Sequence, residues 1–304
     1  MCDCLVALPP ATGGSVTLFA KNSDRPPAEQ QLVHWSPARR DDGPLHATHI
    51  TVDPFGDDTL ACVLSRPVWG WGAEHGVNEA GVAIGNTTVY TTLDPRGAPV
   101  GLTGMDLVRL ALERGTTAAD AVDVVTTLLA RYGQGGSGHD PALHDSALSP
   151  QGRPYWNAFL VADPGAAYVI DTSGGAWAVE QVRDVRAISN RTSIPAFDAA
   201  HRHPRQPVDR LVDPRWHASQ RVLAARPVTV ASLQAHLRSH DSCGDPGWSV
   251  CMHVDGVEAT TASMIVELAP GGPGTIWALT GSPCQREYRA FAFADAATVD
   301  LTQI

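Results

Sequence analysis

The sequence predicts an α+β protein built from two stacked, mainly antiparallel sheets with helices on the outside. Strand patterns and helix patterns follow each other in the order strands, helices, strands, helices, strands, and most strands are joined by short turn-like connections. The chain also contains 28 glycines and 23 prolines, which indicates many turns. At 304 residues, it has room for one large domain or two small ones.

The beginning of the chain predicts a hairpin. Cys4 to Leu8 is a short apolar run, residues 9–14 are turn formers, and Ser15 to Ala20 alternates ahead of a polar loop, Lys21 to Asp24. The return strand of a hairpin lies beside the first strand, so we expect Lys21 to Asp24 to lie near Cys2. A carboxylate placed there can hold an ammonium group, and a cation can favour a thiolate.

Further strands are expected before the middle of the chain, and a loop rich in glycine and tryptophan interrupts them. The expected strands are Val33 to Trp35, Thr48 to Val52, Thr59 to Leu64 and Val82 to Val89, the last ending near Asn86. The loop, Trp69 to Glu74, has two explanations. It is either a rigid turn with two packing tryptophans or the wall of a ligand pocket.

Two adjacent helices are predicted next. Gly104 to Glu113 carries apolar residues at helical spacing. Thr117 and Asp120 form a start that resembles a capping box, and helical spacing then continues to Tyr132. Gly133 to Pro154 follows as a long loop, which is either a functional lid or a disordered segment.

In the second half of the chain, the residue pattern predicts a series of strands, then a polar segment, two helices and a final set of strands. The strand series is Tyr155 to Ala162, Ala166 to Asp171, Ala176 to Val182 and Val185 to Ser189. Pro195 to Arg215 is polar and basic, and a solvated loop explains it better than a metal site. The helices are Trp216 to Ala225 and Val230 to His240, and the closing strands are Thr260 to Leu268, Thr275 to Leu279 and Tyr288 to Phe293.

The overall composition excludes some classes of function. The formal net charge is −10, which argues against a nucleic-acid partner because such binding needs a basic patch. No apolar run approaches the length of about 18 residues that a membrane span needs. The six cysteines have irregular spacing, and without a signal peptide they are expected to be reduced thiols of a cytoplasmic protein.

Cys2 is the most distinctive residue of the sequence. It follows Met1 directly, and its side chain is small, so we expect Met1 to be removed and Cys2 to become the N-terminus. The residue would then carry a thiol with a pKa of about 8.5 and an α-amine with a pKa of about 8. An amine beside a nucleophile can serve as its base.

Less active roles for the cysteines are also considered. Many cysteines are inert, buried small hydrophobes. Cys2 and Cys4 form a C-x-C pair that could bind a metal or cycle as a dithiol, but no second pair at zinc-ligand spacing accompanies it. No hydrophobic signal precedes Cys2, which argues against a lipoprotein cysteine. Cys251 and His253 share one strand face by their spacing, and core packing explains them better than a Cys/His site.

Several motifs occur in the order found in one known family. They are Cys2-Asp3, the run 6–12, Lys21-Asn22-Ser23-Asp24-Arg25, the stretches 65–74, 78–86 and 104–110, Gly133-Gln134-Gly135-Gly136, Ile188-Ser189-Asn190 and the stretch 260–264. On these motifs the sequence resembles the secernins, a branch of the dipeptidase-A-like cysteine peptidases within the N-terminal-nucleophile hydrolases. The match covers most of the chain and is poor from about Ser193 to Val257.

The resemblance makes the fold and the catalytic residues specific. It implies a four-layer αββα sandwich as a single domain over residues 2–304. Cys2 would be the nucleophile, and Asp24 would orient its α-ammonium group. Asn86 and Asn190, both expected at strand ends, match asparagines that serve the oxyanion and the substrate amide in the superfamily.

Three further residues are expected to meet the substrate. Lys21 stands where related acylases carry arginine, and it could tune the thiolate or contact the substrate. A lysine offers a point charge rather than the two-pronged donor of arginine. Trp69 and Trp71 are candidates for the pocket wall.

These features lead to one main hypothesis and several alternatives. The main hypothesis is a cysteine amidohydrolase, closest to a dipeptidase-like peptidase, that acts through an acyl-enzyme without cofactor or metal on a small peptide or N-acyl amide. The alternatives are a penicillin-acylase-like or bile-salt-hydrolase-like N-acyl amidohydrolase, a non-catalytic secernin-like protein with a modified N-terminal cysteine, and a C-x-C metal or redox protein. A homo-oligomer is compatible with any of them.

Overall fold

Two seven-stranded antiparallel sheets and seven α-helices make up the described part of the chain, residues 1–143, 152–240 and 246–304 of a computed structural model. In chain order the elements are β1 (Cys2–Ala7), α1 (Pro9–Thr12), β2 (Thr17–Arg25), β3 (Gln31–Ser36), β4 (Leu45–His46), β5 (Thr51–Val52), β6 (Cys62–Pro67), β7 (His75–Asn78), β8 (Ala83–Val89), α2 (Gly104–Arg114), α3 (Ala118–Tyr132), β9 (Trp156–Ala162), β10 (Ala167–Ser173), β11 (Ala176–Val182), β12 (Val185–Ile188), α4 (Pro195–His201), α5 (Val208–Leu211), α6 (Asp213–Ala224), α7 (Val230–Leu237), β13 (His253–Val254), β14 (Glu258–Ala269), β15 (Gly272–Thr280) and β16 (Arg289–Ala292).

The first sheet is formed mainly by strands from both ends of the chain, and the second is formed mainly by strands from its middle. The first sheet has the order β12-β1-β2-β14-β15-β16, with β13 added beside β14, and the second has the order β11-β10-β9-β8-β7-β6-β3. β4 and β5 form a separate small pair. The predicted class of two antiparallel sheets is therefore confirmed.

Three hydrophobic clusters lie between four layers. The cluster between the sheets joins side chains such as Phe19 of the first sheet to side chains such as Leu160 of the second. A second cluster packs the outer face of the second sheet against α2 and α3, as Ile84 against Leu107 illustrates. A third packs the first sheet against α6 and α7 and includes Leu5. The layers are therefore helix, sheet, sheet and helix, as the αββα expectation requires.

The N-terminal hairpin forms as predicted, with two differences. β1 and β2 pair antiparallel, and Cys2 lies opposite Ser23. The connection contains one helical turn, α1, rather than turn residues alone. The prediction of a polar loop over Lys21 to Asp24 is wrong, because these residues continue β2 and are buried. They stay in the strand because β14 pairs with its other edge.

The predicted helices over 104–113 and 117–132 are present as α2 and α3. Thr117 and Asp120 make the expected capping box at the start of α3, and Thr103 makes another with Asp106 at the start of α2. Of the long loop after α3, the residues 144–151 lie outside the described part of the chain. No helix in the described residues is long and apolar enough to cross a membrane.

Two further expectations for local structure are wrong. Pro195 to Arg215 is not a solvated loop, because it contains α4, α5 and the first turn of α6. Its chain packs over the end of the first sheet, and Arg215 is fully buried there. Thr48 to Val52 contains only the short strand β5, paired with β4. The assignment of residues 2–304 to a single domain stays a prediction.

Candidate active site

Cys2 lies at the beginning of β1, where the first sheet faces the second. The residue is buried and exposes 3 % of its surface. Because successive side chains of a strand point to opposite faces, the Cys2 thiol points between the sheets together with Cys4, and Asp3 points toward the helices. The two faces of β1 therefore meet two different groups of polar side chains.

The backbone nitrogen of Cys2 is held by Asn190. It donates to the Oδ1 of Asn190 at 3.0 Å, and the same oxygen accepts from the Nη2 of Arg215 at 2.8 Å. Arg215 also forms an ion pair with Asp3, and both side chains are fully buried. The nitrogen that would become the α-amine is thus fixed by a chain of buried polar contacts.

The thiol of Cys2 lies beside two charged groups of opposite sign. Its Sγ is 3.7 Å from the Oε2 of Glu74, which accepts from the Nζ of Lys21 at 3.3 Å. Burial raises the pKa of the Cys2 thiol to about 11, Lys21 lowers it and Glu74 raises it further. The thiol is therefore protonated at neutral pH, and its use as a nucleophile requires a base.

Lys21 reaches across from the first sheet to the second. Its Nζ donates to the backbone oxygen of Glu74 at 2.7 Å and to the Oδ1 of Asn86 at 3.1 Å. A Cβ at position 85 would lie 2.8 Å from the Cδ of Lys21, so Gly85 leaves the space that this side chain uses. Although burial alone would lower the pKa of Lys21, Cys2 and Glu74 raise it, and the ammonium group stays charged.

Glu74 also belongs to a buried network of ion pairs. Arg25 pairs with Glu74 and with Glu29, and its Nη2 donates to the backbone oxygen of Gly138 at 2.6 Å. Burial would raise the pKa of Glu74, but Lys21 and Arg25 lower it to about 2. Glu74 is therefore a fixed negative charge between two cations.

Asp24 lies on the strand next to Cys2, one residue beyond the Cys2–Ser23 pair. Its Oδ1 accepts from the Oγ1 of Thr260 at 2.6 Å. Its Oδ2 is buried and has no hydrogen-bond partner among the described residues. Burial raises the pKa of Asp24 to about 7, while the N-terminal ammonium and Arg215 oppose this rise. The Oδ2 of Asp24 can therefore accept a further hydrogen bond from a donor near the N-terminus.

Met1 occupies the space in front of Cys2. Its ammonium group pairs with Glu258 and donates to the backbone oxygen of Asp24 at 2.7 Å. Met1 also lines a cavity of about 610 Å3. The basic side chains around this cavity are Arg96, Arg153, His203 and Arg205. Because Met1 is bonded to Cys2, its removal would take away the part of the cavity wall that is nearest to Cys2 in the chain.

Both predicted asparagines lie close to Cys2 or Lys21, although one is not at a strand end. Asn190 follows the end of β12, as expected, whereas Asn86 lies in the middle of β8. Asn86 donates from its Nδ2 to the Oδ1 of Asn157 at 3.0 Å. Asn190 donates from its Nδ2 to the backbone oxygen of Thr88 at 2.9 Å. The role of Asn86 and Asn190 in binding an oxyanion and a substrate amide stays a prediction.

The two tryptophans lie apart from Cys2. The Nε1 of Trp69 is 3.3 Å from the Oε2 of Glu29, and Trp71 stacks against Arg109 of α2, whose guanidinium carbon is 4.2 Å from the ring centroid. Gly72 between them packs so closely on α2 that a Cβ there would lie 2.3 Å from the backbone carbon of Met105. Neither tryptophan lines the cavity beside Met1. A role for them in substrate binding stays a prediction.

Cys4 has a different environment from Cys2. Its Sγ is 3.8 Å from the backbone oxygen of Asn86, and burial raises its pKa. Neither cysteine belongs to a group of potential metal ligands in the part of the chain that the structure describes. This geometry gives no support to the C-x-C metal interpretation.

The sequence interpretation missed several residues of this site. They are Asp3, Glu74, Arg215, Glu258 and Thr260. Asp3, Glu74 and Thr260 belong to motifs on which the sequence resembles the secernins, so their positions carried a signal. Arg215 lies in the segment where that match is poor, and only its burial in the fold reveals it.

The fold is that of the N-terminal-nucleophile hydrolases. The structure is similar to a mutant of conjugated bile acid hydrolase from Clostridium perfringens, with a TM-score of 0.55 and 12 % sequence identity over 97 % of this chain and 93 % of that one. A second variant of that hydrolase gives a TM-score of 0.50 and 11 % identity over 95 % and 97 % of the two chains.

A more distant similarity is found to another amidase. It is the Caenorhabditis elegans ortholog of N-acylethanolamine-hydrolyzing acid amidase, with a TM-score of 0.47 and 11 % identity over 86 % of this chain and 91 % of that one. No protein-family model matches the sequence. The narrower resemblance to the secernins stays a prediction.

Proposed function

We propose that this protein hydrolyses amide bonds with Cys2 as the nucleophile, after removal of Met1. The observation that carries the proposal is the fixed position of the Cys2 nitrogen on Asn190, at the beginning of β1 in this fold. A nitrogen held there becomes an α-amine beside its own thiol once Met1 is lost. An amine in this position can act as the base of the nucleophile.

The proposed reaction has two halves. The α-amine takes the proton of the Cys2 thiol, and the sulphur attacks the carbonyl carbon of the substrate. The carbon–nitrogen bond then breaks, the leaving amine takes the proton, and the acyl group stays on the sulphur. Water attacks this thioester with the α-amine again as base, and the carboxylic acid leaves as the thiol re-forms.

The charged neighbours have separate tasks in this scheme. Lys21 lowers the pKa of the Cys2 thiol and stabilises the thiolate as it forms. The free Oδ2 of Asp24 accepts a hydrogen bond from the α-ammonium group that receives the thiol proton. Arg215 holds Asn190, and Asn190 holds the nitrogen of Cys2.

We propose a short peptide with a free N-terminus as the substrate class. The ammonium group of Met1 is bound by Glu258 and by the backbone oxygen of Asp24. This pair of acceptors would be vacated with Met1 and could receive the α-ammonium group of a dipeptide. Arg153 and Arg205 line the adjoining cavity, where positive charge favours a substrate carboxylate.

Hydrolysis of an N-acyl amide is the second candidate. It is favoured by the structural similarity to conjugated bile acid hydrolase, whose fold this chain shares. A substrate of that kind has no ammonium group, so it would not use Glu258. The two candidates therefore differ in their dependence on one side chain.

Paired mutants and paired substrates test the proposal. A screen of dipeptides and N-acyl amides should find hydrolysis in the wild type, none in Cys2→Ala, and a smaller loss in Cys4→Ala. Equal and complete loss in both cysteine variants would contradict the proposal and support a dithiol or metal role. With Glu258→Gln, the KM of a dipeptide should rise, while the KM of its N-acetylated form should stay unchanged.

A further inference from the structure

A second group of reactive side chains lies outside the candidate active site. It consists of His240 after α7, Cys251 and His253 at the approach to β13, and Cys284 in the connection between β15 and β16. The potential ligand atoms of these four residues all lie within 4.8 Å of one another. Three separate segments of the chain thus converge on one point.

Individual distances within this group are short. The Nε2 of His253 lies 3.4 Å from the Sγ of Cys251 and 3.2 Å from the Sγ of Cys284. The rings of His240 and His253 meet edge to face, with centroids 5.0 Å apart. His253 is therefore in direct contact with each of the other three side chains.

The arrangement matches the dimensions of a zinc site. Zinc binds thiolate sulphur at about 2.3 Å and imidazole nitrogen at about 2.0–2.1 Å in a tetrahedron. The edges of such a tetrahedron are about 3.3–3.8 Å long, calculated from these bond lengths. The two distances from His253 are already close to this range, and closure of the remaining pairs requires movements of about 1 Å.

Core packing alone does not explain the group. Cys251 is buried, as expected, but His253 is half-buried, and His240 and Cys284 are exposed. The four side chains offer two imidazoles and two thiols, which are ligand types that zinc binds. Zinc binding would displace the protons of both thiols, because the thiolate is the form that binds the metal.

We propose that His240, Cys251, His253 and Cys284 bind a structural zinc ion. Two thiolates and two imidazoles satisfy all four positions of a tetrahedral ion, which is the composition of a closed, non-catalytic site. The ion would tie the end of α7 to β13 and to the connection between β15 and β16. This inference does not depend on the proposed amide hydrolysis.

The zinc site would also fix part of the candidate active site. Met252 lies between two of the ligands, and its nitrogen donates to the Oγ1 of Thr260 at 2.8 Å. The same Oγ1 donates to the Oδ1 of Asp24 at 2.6 Å. The ion would therefore stabilise the segment that positions the carboxylate of Asp24.

Metal analysis of the full chain tests the proposal. Protein purified under reducing conditions with added zinc should contain one zinc per chain, measured by elemental analysis. Cobalt in place of zinc should give a thiolate-to-cobalt charge-transfer band and the d–d bands of a tetrahedral ion. Cys284→Ser and His253→Ala should each lose the bound metal and the tetrahedral spectrum, whereas the matched control Cys62→Ser should retain both.

Two results would overturn the proposal. One is wild-type protein that takes up neither zinc nor cobalt while its circular dichroism shows a folded chain. The other is a Cys251–Cys284 disulfide in protein isolated with reductant and zinc, seen as a mass two hydrogens lower on the linked peptide. Because Cys284 is exposed, Cys284→Ser is expected to fold and keeps the experiment decisive even if a Cys251 variant does not fold.

Discussion

The backbone nitrogen of Cys2 and the Oδ1 of Asn190 are 3.0 Å apart, and 188 residues separate them in the chain. This contact joins β1 to a residue two positions beyond the end of β12, and β12 is the neighbour of β1 in the first sheet. It fixes the atom that would act as the base in hydrolysis. The strength of this restraint can be measured.

Asn190→Ala should lower kcat by about 10²–10³-fold, the range seen when one positioned polar group is removed from a catalytic site. The nitrogen of Cys2 would lose its acceptor, and Arg215 would lose one of its hydrogen-bond acceptors. Steady-state kinetics on the best dipeptide measure the effect. The exposed amide variant Gln303→Ala is the control, and an Asn190→Ala enzyme with unchanged kcat would remove Asn190 from the site.

Lys21→Met should slow the alkylation of Cys2, because the pKa of the thiol rises when the nearby cation is lost. Each unit of pKa corresponds to about a tenfold lower thiolate fraction at a fixed pH below the pKa. The rate is followed by mass spectrometry of the peptide that contains Cys2 after timed treatment with iodoacetamide.

Glu74→Gln is the matched variant with the opposite sign. Glu74 raises the pKa of the Cys2 thiol, so its neutralisation should speed the alkylation. Slower alkylation in both variants would mean that each change disturbs the structure around Cys2 rather than its electrostatics. That result would contradict the assigned role of Lys21.

Asp24→Asn should lower kcat by about 10²–10⁴-fold, the range that general-base catalysis contributes. The neutral amide keeps the shape but no longer stabilises the α-ammonium group, whose pKa should fall. The acidic limb of the pH–rate profile should therefore move to lower pH. A kcat close to that of the wild type would exclude Asp24 from the mechanism.

Thr260→Val should shift a second ionisation on the acidic side of the profile, that of the Asp24 carboxyl group itself. The pKa of Asp24 is about 7, raised by burial, and the hydrogen bond from Thr260 keeps it from rising further. Loss of this bond should raise the pKa of Asp24, so the carboxylate forms only at higher pH and this second ionisation shifts upward. Thermal unfolding of both variants checks that the fold is intact.

Arg215→Met should reduce the free energy of unfolding by about 3–5 kcal/mol, because it leaves the buried carboxylate of Asp3 without its partner. The double variant with Asp3→Asn removes that charge as well and should recover part of the loss. Urea unfolding of the wild type, the two single variants and the double variant measures the coupling. Additive effects would contradict a direct Arg215–Asp3 interaction.

Local elements of this fold could be predicted from the sequence. The apolar run from Cys4 to Leu8 predicted the first strand of a hairpin, and Thr117 with Asp120 predicted the beginning of α3. Both signals depend on residues that are neighbours in the chain. The hairpin also placed Lys21 to Asp24 beside Cys2, since a short connection leaves few other arrangements.

Polar residues stabilised by distant partners were not visible in the sequence. Asn86 was expected at a strand end, but it lies inside β8, where Lys21 and Asn157 satisfy the hydrogen bonds of its amide. Arg215 was assigned to a solvated loop because its neighbours are polar. It is buried because it pairs with Asp3, which is 212 residues away in the chain.

Intact-mass analysis of the active enzyme tests the central claim most directly. The protein is mixed with its best substrate, quenched in acid, and compared with untreated protein and with Cys2→Ala. We predict a chain that begins at Cys2 and an added acyl group that maps to the Cys2 peptide and is absent from Cys2→Ala. Full activity in a chain that retains Met1, or an acyl group on any other residue, would contradict the claim.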